Sequence, residues 1–314
     1  MTTHPAFLFP GQGSQAPGML AELAAAFPQV EATFEEASQV LGRDLWTLSQ
    51  DGPKDALDQT LNTQPVMLAA GVAVWRVWRE QGGAMPSVMA GHSLGEYSAL
   101  SCAGVLTFED ALRLVAERAR LMQAAVPEEA GAMAALLGLE DDAVAELCRS
   151  QAAGQVLEPV NFNAPGQVVI AGQREAVQRA IDASKAAGAK RAVLLPVSVP
   201  SHCALMREAA AELAVQLDQV ELHVPSIPVI HNVTVEMAEA PAMIRQRLAE
   251  QLFSPVRWVE TVCSIADRGV QLAIEAGPGK VLTGLGKRID KRLTTLPVFD
   301  PEGLATALEA SANV

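Results

Sequence analysis

The stretch Gly91-His92-Ser93-Leu94-Gly95 fits the G-x-S-x-G pattern of a nucleophile elbow, a sharp turn that joins a strand to a helix. It follows the short apolar run 88–90 and precedes residues 96–100, which contain no helix breaker. In this context the Ser93 hydroxyl stands at the head of a helix, where backbone N–H groups can stabilise a developing oxyanion. The pattern predicts a nucleophilic serine. The alternative is a glycine-rich turn whose serine only caps the helix.

The composition restricts the class of protein. Of the 314 residues, 50% are hydrophobic and 19% are charged, which predicts a globular chain with a large core. The net charge of −13 argues against a nucleic-acid partner. No apolar run is long enough to cross a bilayer and no export signal is recognisable, so we expect a cytoplasmic protein without a membrane partner. The four cysteines are widely spaced, which predicts reduced thiols and no metal site.

Alternating strand and helix patterns surround the elbow. A strand is predicted over residues 6–9, a helix over 18–41, and a second helix from Asn62 to the Gly82-Gly83 pair, with Pro65 in its first turn. Further strands are predicted near 227–233 and 271–275. This alternation is typical of an α/β protein with a parallel sheet.

The middle of the chain has a different order of elements. Strands are predicted over 131–139, 156–162, 167–171 and 191–199, and helices over 141–152 and 174–187. The resulting order β-α-β-β-α-β is the ferredoxin-like pattern. We therefore predict a small ferredoxin-like domain, residues 128–198, inserted into a large domain formed by residues 1–127 and 199–314.

One helix carries a charge where an apolar residue is expected. The segment 107–125 predicts a helix capped by Thr107, and its apolar stripe consists of Ala111, Val115, Arg118, Met122 and Ala125. A guanidinium cannot lose its proton, so Arg118 needs an anionic partner or a route to water. The periodicity leaves two interpretations open: an ion pair with a core carboxylate, or a binding site for a substrate carboxylate.

A nucleophilic serine needs a group that accepts its proton. The side chain of His92, on the tight turn, is expected to point away from the serine, and His4 is terminal. Spacing gives a slight preference for His202 over His223 and His231, because His202 follows a predicted strand. No Asp or Glu is visibly paired with it, so the sequence shows no ordinary catalytic triad.

Five motifs, taken together, resemble the malonyl-CoA:acyl carrier protein transacylases over about residues 7–287. They are Pro10-Gly11-Gln12-Gly13-Ser14-Gln15, Gly91-His92-Ser93-Leu94-Gly95-Glu96, Arg118, Ser201-His202 and Gly277-Pro278-Gly279-Lys280. The resemblance implies an α/β-hydrolase-like large domain with a ferredoxin-like small domain. It also implies malonyl-CoA and acyl carrier protein as partners, and no cofactor, since the coenzyme A thioester is a substrate.

The resemblance also implies roles for individual residues. Ser93 would attack the malonyl thioester and form an ester, and His202 would act first as base and then as acid. The backbone carbonyl of Gln251 would orient His202, which explains the missing acidic partner. The backbone N–H groups of Gln12 and Leu94 would form the oxyanion hole.

In the same resemblance Arg118 would bind the malonyl carboxylate. Carrier proteins are acidic, so a basic patch that includes Lys287 and Arg288 is a candidate docking surface, although a solvated helix face is an equally good interpretation. Two other functions stay open at this point. The elbow alone would suit a serine hydrolase or thioesterase, and a non-catalytic scaffold could keep the same fold.

Overall fold

The structure is a computed structural model that describes residues 4–127, 129–197 and 199–312. Its strands are β1 Ala6–Phe9, β2 Val88–Gly91, β3 Gly131–Leu137, β4 Leu157–Ala164, β5 Gln167–Gln173, β6 Arg191–Leu194, β7 Val229–Ile230, β8 Leu272–Ala276 and β9 Thr294–Val298. These strands form a five-stranded parallel sheet, in the order β7-β2-β1-β8-β9, and a four-stranded antiparallel sheet, in the order β4-β5-β3-β6.

Helices cover both sheets. The helices are α1 Ala21–Ala26, α2 Gln29–Leu41, α3 Leu45–Asp51, α4 Lys54–Leu57, α5 Thr60–Glu80, α6 Gly95–Cys102, α7 Phe108–Ala124, α8 Asp141–Gln151, α9 Arg174–Ser184, α10 Arg207–Asp218, α11 Pro241–Glu250, α12 Trp258–Asp267, α13 Val281–Ile289 and α14 Pro301–Ser311, with short 3₁₀ turns at Ala204–Met206 and Gln251–Phe253. None of the helices in these described ranges has both the length and the apolar character that a membrane span needs.

The parallel sheet is buried on both faces, as its apolar strands require. Along β1, Phe7 and Phe9 contribute to one hydrophobic core, and Ala6 and Leu8 contribute to the core on the opposite face. Because β1 and β2 are parallel and Phe9 lies opposite Gly91, the loops that follow both strands emerge at the same edge of the sheet. This register brings the loop that carries Gln12 next to the elbow.

The antiparallel sheet has the predicted ferredoxin-like order, β3-α8-β4-β5-α9-β6, and α8 and α9 share a separate core with it. The mixed α/β fold predicted from the sequence is therefore confirmed. The division at residues 128 and 198 stays a prediction, and both of those residues lie outside the described part of the chain. Strand β4 is also tied to the segment after α11, since Phe162 N donates to Val256 O (3.0 Å) and Val256 N donates to Val160 O (2.8 Å).

Several predicted elements are shorter in the structure, and the strand expected near 227–233 is reduced to Val229–Ile230. The helix expected over 18–41 is divided into α1 and α2, because Phe27, which precedes Pro28, takes an extended conformation. The strand expected over 191–199 ends at Leu194. Pro196 follows two residues later and has no N–H to donate to a neighbouring strand. Residue 198 of that predicted strand lies outside the described residues.

The elbow depends on two glycines and one strained residue. Ser93 has a φ of 51°, in the left-handed region that side chains other than glycine rarely adopt. A Cβ added to Gly91 would lie 1.9 Å from the Gly95 carbonyl carbon, and one added to Gly95 would lie 2.1 Å from Phe9 O. The strand, the turn and the neighbouring chain can approach this closely only where no side chain intervenes.

We predict that Gly91→Ala destabilises the protein by about 3 kcal/mol or more, because backbone atoms must move to make room for the methyl group. Gly284→Ala in α13 is the matched control, since a Cβ there meets no atom within 4 Å. It should stabilise the helix by about 0.5–1 kcal/mol. Urea denaturation of both variants measures the difference, and equal free energies of unfolding would contradict the steric explanation.

Candidate active site

The structure brings the elbow serine and one histidine into direct contact. Ser93 Oγ lies 2.7 Å from His202 Nε2. His202, like Ser93, has a left-handed backbone, with a φ of 67°, and its N–H donates to Leu252 O at 2.9 Å. Its other ring nitrogen, Nδ1, lies 2.8 Å from the backbone oxygen of Gln251. Strained backbone at both residues of the pair is held by the surrounding structure, as is common at functional sites.

These contacts fix the tautomer of His202. A carbonyl oxygen can only accept, so the hydrogen bond to Gln251 requires the proton on Nδ1. Nε2 is then an acceptor for the Ser93 hydroxyl. The arrangement is a serine–histidine pair whose orienting group is a main-chain carbonyl.

The surroundings of His202 favour its neutral form, which can accept a proton. Burial, and next the positive charge of Arg118, lower the pKa of His202 to about 3. The imidazole is therefore neutral at physiological pH, the state that a general base requires. Burial also lowers the pKa of His92.

Arg118 lies on the buried face of α7, and its side chain is only 1% exposed. Its guanidinium donates to Gln64 Oε1 (2.7 Å), Gln251 Oε1 (3.0 Å) and Ser93 Oγ (3.3 Å). No carboxylate among the described residues lies within ion-pair distance of it. Periodicity left two interpretations of Arg118 open, an ion pair within the core and a site for a ligand carboxylate. Within the described residues, the structure shows no direct ion pair.

The hydrogen bonds of Arg118 leave capacity for a ligand. A guanidinium has five N–H donors, and three of them are used by protein oxygens. One N–H remains on Nη1 and one on Nε, which is buried without a partner. A bidentate carboxylate needs the adjacent Nη1 and Nη2 groups, which become available together if the long 3.3 Å contact of Nη2 with Ser93 Oγ is given up. A cation this deeply buried beside a hydroxyl provides a strong recognition element for an anionic ligand.

Gln251 contacts the nucleophile, the base and the arginine of the site. Its backbone oxygen accepts from His202, and its side-chain Oε1 accepts from Arg118. Its Nε2 donates to Glu96 Oε2 (2.8 Å) and to Ser93 O (3.1 Å). The 3₁₀ turn at the end of α11 therefore aligns base, nucleophile and arginine through one residue.

Sequence reasoning assigned no supporting role to four polar residues that stabilise the site: Gln64, Glu96, His231 and Asn232. Asn232 accepts from Ser93 N (2.7 Å) and donates to Gly91 O (2.7 Å), and Glu96 accepts from His231 Nδ1 (2.7 Å) and Asn232 N (3.0 Å). Gln64 lies on α5. Glu96 directly follows the elbow at the start of an otherwise apolar helix, a signal that could have identified it. The other three carry no local signal, because they come from distant segments.

The sequence-predicted residues around Ser93 share one cavity. It is lined by Gln12, His92, Ser93, Leu94, Arg118 and His202, and on the other side by residues of β3 and the segment after β6. The expectation that the His92 side chain points away from the serine stays a prediction, and the ring makes its contacts with other residues. The ring lies against this cavity, with Nε2 2.8 Å from Asn163 Oδ1 and the ring of Trp258 5.4 Å away. The hydrogen bond to Asn163, on β4, thus holds the imidazole against the antiparallel sheet.

Lys287 and Arg288 do not line this cavity. They occupy the last turn of α13, where cations favourably oppose the helix dipole. Arg288 donates to Gln167 Oε1 (2.5 Å) and Pro165 O (3.1 Å), and Lys287 is exposed. Within the described ranges, His, Cys, Asp and Glu do not gather into a group of three or more that could hold a metal.

Known proteins share this fold and sequence over nearly their full length. Residues 6–298 match the family described as the acyl transferase domain. The chain is 58% identical to the malonyl CoA-acyl carrier protein transacylase of Salmonella typhimurium over 303 residues, which cover 96% of this chain and 98% of that protein.

Two solved structures are also similar. One is a malonyl-transacylase in complex with a type II polyketide-synthase acyl-carrier protein (TM-score 0.97, 58% identity, 98% of this chain and 100% of that chain). The other is an acyl carrier protein S-malonyltransferase from Vibrio cholerae (TM-score 0.94, 57% identity, 97% of this chain and 99% of that chain).

We predict that stability falls as the pH drops below the ordinary histidine pKa of about 6.5. In the unfolded chain His202 takes up a proton there, whereas in the folded chain it stays neutral down to about pH 3. The unfolded state therefore binds more protons, and the free energy of unfolding decreases with falling pH. In urea denaturation from about pH 7 to 5, the free energy of unfolding should decrease less steeply with falling pH for His202→Asn than for the wild type. Asn is chosen because it tolerates positive φ. The exposed His223→Asn is the control, and equal slopes for both variants would contradict the explanation.

Proposed function

The chain belongs to the acyl transferase family, among the malonyl-CoA:acyl carrier protein transacylases, and from this premise we propose that it moves a malonyl group from coenzyme A to an acyl carrier protein. The proposed route passes through a malonyl ester of Ser93. The observation that carries the proposal is a buried guanidinium that has no direct carboxylate partner among the residues the structure describes. It lies 3.3 Å from a serine that contacts a neutral histidine.

In the loading step, Ser93 Oγ bonds to the thioester carbonyl carbon while its proton moves to His202 Nε2. The carbonyl electron pair moves to the oxygen, which becomes an oxyanion. When the carbonyl re-forms, the carbon–sulfur bond breaks, and the leaving thiolate takes the proton from His202. The products are malonyl-Ser93 and free coenzyme A. The imidazolium that forms in between is stabilised by its Nδ1–H hydrogen bond to Gln251 O.

The oxyanion requires N–H donors aimed into the cavity. We assign this role to the backbone N–H groups of Gln12 and Leu94, both at residues that line it. The N–H of Ser93 is unsuitable because it already donates to Asn232 Oδ1. Leu94 stands at the N-terminus of α6, where N–H groups have no partner from the helix itself and the dipole favours negative charge.

In the second step the phosphopantetheine thiol of the carrier protein attacks the ester. Its proton moves to His202, its sulfur bonds to the malonyl carbon, and the Ser93 oxygen leaves and takes the proton back. The proposed cycle needs no cofactor, because the thioester is already activated and the residues named here move the proton. We place the reaction in fatty acid biosynthesis in the cytoplasm.

Arg118 would determine the choice of acyl group. A malonyl group carries a carboxylate that can pair with the guanidinium in place of its long contact with Ser93 Oγ, and an acetyl group does not. With acetyl bound, a buried cation keeps unpaired donors, which costs more free energy than a lost methylene contact.

The carrier protein would dock at Lys287 and Arg288. Both this chain and carrier proteins are acidic, so a favourable encounter needs a local basic surface. Support comes from the exposure of Lys287 and Arg288 and from the hydrogen bond of Arg288 to Pro165 O, at the turn between β4 and β5. The nearby Arg292 is a poorer candidate because it is paired with Asp290 and Asp267.

We predict that malonyl-CoA adds a malonyl mass to Ser93. Arg118→Ala should slow this loading by about 100-fold, because two charge-assisted hydrogen bonds to the malonyl carboxylate are lost. The bias against acetyl-CoA should relax at the same time. Intact-protein and peptide mass spectrometry measure both rates. Arg113→Ala on the exposed side of the same helix is the control, since that residue pairs with Glu109.

Equal losses for malonyl and acetyl in Arg118→Ala would reject the carboxylate role. Discharge of malonyl-Ser93 by water as fast as by carrier protein would favour a hydrolase or thioesterase. A wild-type protein that forms no adduct on Ser93 would reject the proposed mechanism altogether.

For the docking surface, the double variant Lys287→Glu/Arg288→Glu should slow malonyl transfer to carrier protein by about tenfold at low salt and leave loading from malonyl-CoA unchanged. The expected difference shrinks as salt is added. Arg113→Glu/Arg120→Glu makes the same charge change on the exposed face of α7 and serves as control. The assignment fails if both half-reactions slow equally, or if the control has the same effect.

A further inference from the structure

Only two carboxylates in the described part of the chain are completely buried, Glu96 and Glu275. Glu275 is explained by the fold, since it accepts from the N–H groups of Leu282 and Thr283 and caps α13. Glu96 does not cap its own helix. Its oxygens accept from His231 Nδ1, Asn232 N and Gln251 Nε2, all from segments far along the chain.

The side-chain amide of Gln251 lies between Glu96 and Arg118. Its Nε2 donates to the carboxylate at 2.8 Å and its Oε1 accepts from the guanidinium at 3.0 Å. A carboxylate only accepts and a guanidinium only donates, so these two partners fix which end of the amide is which. The two buried charges are thus joined through one amide group without touching, and Glu96 favours the charged form of Arg118.

We propose that Glu96 is a positioning residue that balances the charge of Arg118 through Gln251. It allows the guanidinium to be buried without a direct carboxylate partner, and so keeps N–H donors of the guanidinium from being taken by a protein carboxylate. A carboxylate in direct contact would occupy those donors, whereas no carboxylate at all would leave an uncompensated buried cation. This inference rests on the proposed function, in which the ligand is the malonyl carboxylate.

The same arrangement limits how tightly the malonyl group is held. With Glu96 ionised, the buried pair is neutral before the malonyl carboxylate arrives and carries one negative charge afterwards. Without Glu96 the site would start with a positive charge and end neutral, so an anion would bind more tightly. Tighter ground-state binding of malonyl-Ser93 slows its discharge, because the added stabilisation is not specific to the transition state.

The substitution Glu96→Gln removes the negative charge and keeps the shape of the side chain. The glutamine oxygen can keep accepting from Asn232 N and Gln251 Nε2, and its NH₂ then faces His231 Nδ1. His231 can become the acceptor by moving its proton to Nε2, which has no partner in the described structure. The hydrogen-bonded geometry around Gln251 can therefore survive while the negative charge is lost.

The experiment measures free malonate binding by calorimetry, and discharge of malonyl-Ser93 by carrier protein, in wild type, Glu96→Gln and Glu275→Gln. We expect Glu96→Gln to bind malonate on the order of tenfold more tightly, because the negative charge of Glu96 no longer offsets the attraction between Arg118 and the malonate. The same variant should discharge malonyl-Ser93 more slowly. Glu275→Gln also replaces a buried carboxylate by an amide but should bind malonate like the wild type. A purely structural role for Glu96 would weaken binding instead.

Unchanged or weaker malonate binding in Glu96→Gln would overturn the inference. Failure of the proposed function gives a different result, namely no malonyl adduct on wild-type Ser93, while the change in malonate affinity can still be measured. If Glu96→Gln does not fold, the double variant Arg118→Met/Glu96→Gln decides, because removing both charges leaves no unpaired ion. Recovery of folding in the double variant supports compensation, and no recovery contradicts it.

Discussion

The structure depends on a positive charge that cannot be removed by deprotonation and has almost no access to water. Arg118 is held by amide and hydroxyl oxygens and by the ring of Tyr97, 5.5 Å from its guanidinium carbon, while the nearest buried carboxylate is one amide group away. This charge lowers the proton affinity of the neighbouring His202 and provides the feature that would select an anionic acyl donor. Nucleophile, base and selectivity are therefore coupled through one electrostatic environment.

The fold keeps this environment in place by fixing backbone, not only side chains. The parallel register of β1 and β2 puts the elbow and the Gln12 loop at one edge of the sheet, and glycines at 91 and 95 permit the close contacts of the turn. His202 is held on the other side by hydrogen bonds to Gln251 and Leu252. The contacts of β4 with Val256 extend this support to the antiparallel sheet.

Much of this was predictable from sequence, for identifiable reasons. Local patterns found the elbow, the strand–helix alternation of a parallel sheet, the ferredoxin-like order of elements and the odd charge in α7, since each single element is encoded within about twenty neighbouring residues. Strand β9 was not predicted. Choosing His202 over the other histidines needed the family resemblance, because its partner is a main-chain carbonyl and leaves no side-chain signal. Glu96, Asn232 and the orientation of His92 depend on contacts between segments more than 70 residues apart, and no periodicity reports such contacts.

The central claim is that the guanidinium of Arg118 receives the carboxylate of an acyl group attached to Ser93. A crystal structure of the protein trapped after exposure to malonyl-CoA tests it most directly. We expect an ester on Ser93 whose carboxylate lies within hydrogen-bond distance of the guanidinium, with the Gln251 amide still bonded to Glu96. A carboxylate turned toward solvent, or an Arg118 that pairs directly with Glu96, would contradict the claim.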